Sequence, residues 1–161
     1  MSKSEAEQRV DRACAVLNGF WRRRDAAKRD VERYGALDPS YAVIVGSDRT
    51  TAGEIVTELK EALAAAEGED REALAELYAA LSKTAHSPLT WTDHDGEAGT
   101  HTIVDHYRAD VHRCGERGWR LTVTIETAPA RGVLITEAAG FASRADACNA
   151  GEACIYACRR G

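Results

Sequence analysis

The chain has 161 residues, 44% of them hydrophobic and 29% charged, with a formal net charge of −5. Those figures fit one soluble domain with its own core, and no apolar run approaches the length needed to span a bilayer. A secretory leader and a disulfide scaffold fit poorly, because the opening MSKSEAEQRV is polar and the five cysteines are an odd set in too long a chain.

The expectation is a cytoplasmic α+β protein forming a single domain over 1–161. A helical half covers 1–87, and an antiparallel β-meander covered by a final helix takes 88–161. Charge is uneven. Residues 1–34 hold nine Lys/Arg against six Asp/Glu, residues 35–99 four against thirteen, and residues 100–161 eight against seven. The acidic middle opposes broad nucleic-acid binding, since like charge repels phosphates. Arginine outnumbers lysine seventeen to four. That bias is typical of a high-GC genome, such as an actinobacterium or its phage.

Residues 4–34 form the first predicted helix. Ala6, Val10, Ala13, Leu17, Phe20, Ala27, Val31 and Tyr34 recur at three- and four-residue steps and make one stripe. Arg24 alone interrupts it, and Gly19 weakens its middle by roughly 1 kcal/mol. Gly35 and Pro39 mark the end. A helix this long either crosses the whole domain or projects to meet a partner. YAVIVGSD (41–48) reads as a buried strand or an extended loop.

Thr51 and Glu54 stand at capping-box spacing and open a second helix. Its stripe is Ala52, Ile55, Val56, Leu59, Ala62, Leu63 and Ala66, and Gly68 is expected to break it. A third helix is expected from about Asp70, carrying Leu74, Leu77, Tyr78 and Leu81, so these two form an αα-hairpin. Pro88 ends the helical half, and residues 89–102 read as a short strand and then an exposed Gly/Asp loop.

WRLTVTIET alternates, with Trp119, Leu121, Val123 and Ile125 on one face. In HYRADVHRC the apolar set is Tyr107, Ala109 and Val111. Opposed residues share a face, so Val111 must meet Leu121, Ala109 must meet Val123, and Tyr107 must meet Ile125. That register needs a loop of odd length around Gly115–Gly118. A rival helical stripe, Ile103, Val104, Tyr107, Val111 and Cys114, stays open. VLITEAAGF follows as a third strand, and Ser143 caps a closing helix.

The run from Trp119 to Ala157, with Gly140–Phe141, Ser143, Ala147 and Gly151, resembles the ββα repeat of the YegP-type family. It also resembles the three-stranded, one-helix arm-binding domain of phage integrases. Either likeness covers the last third of the chain. The first implies no settled chemistry, and the second implies a sheet laid against DNA. VIVGSDRTTAGE, about a dozen residues, locally resembles the strand–helix start of MogA-type molybdopterin-binding proteins. No P-loop, GxGxxG, GxSxG or HExxH is present, and no cofactor is expected.

Four sets of side chains are candidate sites. Cys148, Cys154 and Cys158, with Cys114, suggest a metal or redox site, but Cys148 and Cys158 share the helix face that must cover the sheet, with Cys154 beside them, so burial is expected. His94, His101, His106 and His112, with Asp95 and Asp105, are potential metal or acid–base groups, weighed against a solvated loop and wet sheet face. Arg108, Arg120, Thr122 and Thr124 form a polar face able to read nucleic acid, opposed by Asp110 and Glu126. A His106–Glu126 ion pair is an alternative use of that face. Arg22, Arg23 and Arg24 make the first helix a docking surface for an acidic partner or phosphates. The acidic helices themselves, in the same chain or a second copy, are one such partner.

The reading that follows is a small, non-enzymatic interaction or regulatory protein, phage- or mobile-element-encoded, with a protein partner or self-association and no membrane. The alternatives are a DNA-binding accessory protein and, third, a metal-dependent hydrolase.

Overall fold

A computed structural model describes residues 3–95 and 98–161. Gly96 and Glu97, part of the expected Gly/Asp loop, lie outside the described residues. Among the described residues the order is α1 (Glu5–Gly35), β1 (Ala42–Val45), β2 (Asp48–Thr51), α2 (Ala52–Leu81), β3 (Thr92–Asp93), β4 (Gly99–Val104), β5 (Tyr107–Arg113), β6 (Trp119–Ile125), β7 (Leu134–Phe141) and α3 (Arg144–Arg160). The class is α+β, with three α-helices and two antiparallel sheets.

α1 starts where Ser4 and Glu7 close a capping box, and α2 starts on the Thr51–Glu54 box read from the sequence. The αα-hairpin expected within 51–87 is not formed. α2 runs unbroken through Gly68, where an added Cβ would meet nothing within 4 Å. A glycine inside a helix costs about 1 kcal/mol, and packing along α1 offsets that. The helical hairpin is instead α1 against α2, joined by β1 and β2. Arg24 meets Asp70 across it, which makes the pair antiparallel.

The larger sheet has the order β3-β4-β5-β6-β7. Val111 lies opposite Leu121, Ala109 opposite Val123 and Tyr107 opposite Ile125, and Arg113 opposite Trp119 leaves residues 114–118 as an odd-length loop. The helical alternative for 103–114 is therefore excluded. β4 was not separated from the expected loop; it pairs with β5 along its whole length.

α3 lies between the sheet and the helical hairpin. Ala147, Ala150, Gly151, Ala153, Cys154, Ile155 and Ala157 are all buried. A helix this rich in small residues lets backbones approach from both sides, as its burial all round requires. At Gly151 an added Cβ would stand 2.9 Å from the Trp91 ring and 3.0 Å from Leu121 Cδ1. Leu17, Leu74, Leu77, Leu81, Leu121 and Ile155 complete the core, each worth about 1.5–3 kcal/mol of burial.

The two long helices divide into a body part and an arm. Val10, Cys14 and Leu17 of α1 and Asp70, Ala73, Leu74, Leu77 and Leu81 of α2 are buried. Between Arg24 and Asp70, Ala52 alone is buried among the described residues. There Ala27, Val31, Tyr34, Ile55, Val56, Leu59 and Leu63 are half-buried, as expected for two helices with no third layer. α1 thus both crosses the body and projects beyond it. The β1–β2 hairpin sits at the far end. Its Val45↔Asp48 pair closes over Gly46–Ser47, with Gly46 at φ +65°, the left-handed backbone a tight hairpin turn needs. YAVIVGSD is therefore an exposed strand and turn, not a buried strand.

Candidate functional site

The polar sheet face is as predicted in composition, and its charges are already matched. Strand alternation and the observed register put His101, Asp110, Thr122 and Glu137 in one row, and His112 and Arg120 in the next. Asp110 accepts from Arg108 Nε at 2.7 Å and Nη2 at 2.9 Å. This two-point clasp raises the Arg108 pKa above its ordinary value. Arg120 Nη1 stands 3.0 Å from Glu137 Oε1. Thr122 and Thr124 lie between these pairs. A phosphate approaching Arg108 or Arg120 must displace a carboxylate that is already in place, which weighs against the DNA-reading role.

The histidines do not assemble as a group. His94 and His101 stack with ring centroids 4.8 Å apart, and His94 Nε2 is 3.5 Å from Asp110 Oδ1. His112 is a row away, beside Arg120. His106 lies in the β4–β5 turn, 3.3 Å from Thr127 Oγ1. The proposed His106–Glu126 ion pair is not formed; Glu126 faces Arg131 at 3.4 Å. Among the described residues no three His, Cys, Asp or Glu side chains converge as metal ligands.

All five cysteines are unpaired. Cys154 is fully buried, Cys14 is buried, and Cys114, Cys148 and Cys158 are half-buried. Burial pushes the Cys14, Cys148 and Cys154 thiols up. Cys158 goes the other way, because its sulfur accepts a hydrogen bond from Cys154 one turn earlier. Of the closing helix's thiols, Cys154 is buried in the core as the sequence implied, while Cys148 and Cys158 lie at its margin.

Of the three candidate arginines on α1, Arg22 and Arg23 are exposed, and Arg23 lies over the Phe20 ring at 4.8 Å. Arg24 is not a docking residue. Its guanidinium donates to Asp70 at 3.2 Å, to Thr136 Oγ1 at 3.0 Å and to the Ile135 carbonyl. It ties α1, α2 and β7 together. The signal was its position on the apolar stripe, where an unpartnered arginine does not survive burial. Asp70 is buried with it, and that burial raises its carboxyl pKa despite the neighbouring guanidinium.

A second internal tie carries no sequence signal: His86 bonds Glu152 of α3, whose other oxygen accepts the Leu89 N–H at 3.2 Å. A cleft of about 400 Å3 opens between α2, β7 and α3, lined by Arg71, Glu72, Tyr78 and Asp146. Its arginine already donates to the Ala139 carbonyl at 2.9 Å.

The surface that sequence reasoning missed is the end of the arm. Leu37, Tyr41, Ile44 and Val45 are exposed there at 37%, 58%, 76% and 55%. They are half of the exposed large apolar side chains among the described residues, gathered in one short stretch. The architecture defines an α+β body with a helical arm carrying an apolar tip. Comparison with protein-family models, curated proteins and solved structures returns no match.

Proposed function

We propose that the chain is a small cytoplasmic, non-enzymatic interaction protein that meets its partner through the tip of the arm. The carrying observation is the cluster of Leu37, Tyr41, Ile44 and Val45 in water at the point farthest along the chain from the body's core. Exposed apolar side chains scattered singly need no explanation, whereas four within the nine residues 37–45, at one hairpin, point to a contact surface. Five unpaired thiols suit a reducing compartment. No helix among the described residues is long and apolar enough to cross a membrane.

Affinity capture from the native host tests this reading. The wild-type chain should retain a protein partner in high salt, and Tyr41→Ser and Ile44→Lys should lose it. Equal capture by both variants would place the contact elsewhere. Recovery of nucleic acid that is released steeply by salt and depends on Arg120 would replace the reading with the DNA-binding one.

A further inference from the structure

We infer that the cleft between α2, β7 and α3 binds a small zwitterion, an α-amino acid or dipeptide with an apolar side chain. The site is independent of the arm tip. Its size is suitable, since about 400 Å3 lies within the roughly 300–1,000 Å3 of small-molecule sites. Its walls are apolar. Phe141 is buried, Tyr78 is half-buried, and Ala75 and Ala150 line the cleft with them. An apolar side chain laid against the two rings leaves water.

The cation is built in. Arg71 Nη1 donates to the Ala139 carbonyl at 2.9 Å. The next residue, Gly140, has φ +81°, and a Cβ there would stand 2.8 Å from that same Nη1. Glycine is what lets the guanidinium lie on this backbone. The bond to Ala139 uses one of its five N–H donors and fixes the fork. A carboxylate can then be met at two points.

Two carboxylates share the cleft. Glu72 follows Arg71 on α2, and Asp146 lies in the first turn of α3. Among the described residues these three charges form no ion pair with one another, so neither sign cancels the other. A simple anion would meet two carboxylates there, and a simple cation would meet the guanidinium. A zwitterion satisfies both signs at once, and its apolar side chain takes the walls.

NMR titration of the isotope-labelled full chain is the test, with L-phenylalanine, L-leucine and L-alanyl-L-phenylalanine as probes. The amide signals of Gly140, Ala142 and Asn149 should shift saturably, with a dissociation constant on the order of 0.1–1 mM for the best probe. L-Phenylalaninamide, which lacks the carboxylate, should bind at least about tenfold more weakly than L-phenylalanine. N-acetyl-L-phenylalanine, which lacks the ammonium, should bind at least about threefold more weakly. That figure is smaller because Glu72 and Asp146 are exposed. Glu72→Gln combined with Asp146→Asn should erase this second difference. Ala75→Phe, on the exposed wall, should fill the cleft and abolish binding, with circular dichroism and melting unchanged.

Tighter binding of L-alanyl-L-phenylalanine than of either free amino acid assigns the dipeptide, and the reverse order assigns the amino acid. No saturable shift at the cleft with any of the three probes overturns the site. Binding of either derivative as tight as that of L-phenylalanine overturns the zwitterion, and undiminished binding by a folded Ala75→Phe places the ligand elsewhere and overturns the site as well.

Discussion

Strands β7 and β1 both run along the margin of a sheet, and the chain treats them oppositely. On β7 the outward carbonyls of Ile135 and Ala139 are taken by the guanidinium groups of Arg24 and Arg71, reaching over from α1 and α2. Among the described residues β1 pairs with β2 alone, and Ile44 is the most exposed of their large apolar side chains. An uncovered apolar edge invites pairing with another chain, and proteins usually blunt it. This one spends two buried or half-buried arginines on doing so in the body and leaves the arm alone. The contrast separates a margin that belongs to the fold from one that belongs to an encounter.

The largest expected effect tests the covered margin. Arg24→Met should cost about 3–5 kcal/mol, because it strands the buried Asp70 carboxylate and uncaps β7. A loss below about 1 kcal/mol in urea unfolding would mean that the tie is incidental. Gly151→Val comes next, at about 1–3 kcal/mol, since its Cβ must push Trp91 or Leu121 aside in the close-packed body.

Asp70→Asn is smaller, about 1 kcal/mol in acid, and depends on pH. The folded chain holds the Asp70 proton more tightly than the unfolded chain does. Its stabilising contribution is therefore full below the unfolded carboxylate value and is lost as pH rises through the folded one. The gap between wild type and Asp70→Asn should narrow upward from about pH 4, and a widening gap would reverse the assignment.

Gly68→Ala, where body passes into arm, should add about 0.5–1 kcal/mol, because nothing obstructs the new methyl group. Ile44→Lys should change the melting transition least, within about 0.5 kcal/mol, while losing the partner captured by the wild type. A large loss of stability from that variant would show that the tip belongs to the fold after all.

How much of this could be read from the sequence varied with the range of the forces involved. Both α1 and α2 begin at capping signals, and the β5–β6 register follows from alternation, because those are local rules. The same rules misjudged Gly68, where contact with α1 along the whole helix outweighs a local weakness. They merged β4 into a loop, since GTHTIV has too few apolar residues to announce a strand whose Thr100 and Thr102 face inward. Thr102 Oγ1 instead bonds the Thr90 carbonyl at 2.8 Å. Arg24 was visible as an interruption of the stripe, but its partners Asp70, Thr136 and Ile135 lie far along the chain. The pairing of His86 with Glu152 gave no warning for the same reason. β1 was legible in composition and misplaced in burial, because AVIV has the pattern of an interior strand while only one neighbour is present within the chain.

The continuity of α2 has a consequence for spacing. Eighteen residues separate Ala52 from Asp70 on one unbroken helix, about 27 Å at 1.5 Å per residue. A partner held at the tip would then stand about 27 Å from the level of Asp70, with no flexible linker between it and the body. The arm would act as a gauge. Whatever the tip engages would be set at a fixed interval from the body, and lengthening α2 by whole turns would reset that interval in steps of about 5.4 Å.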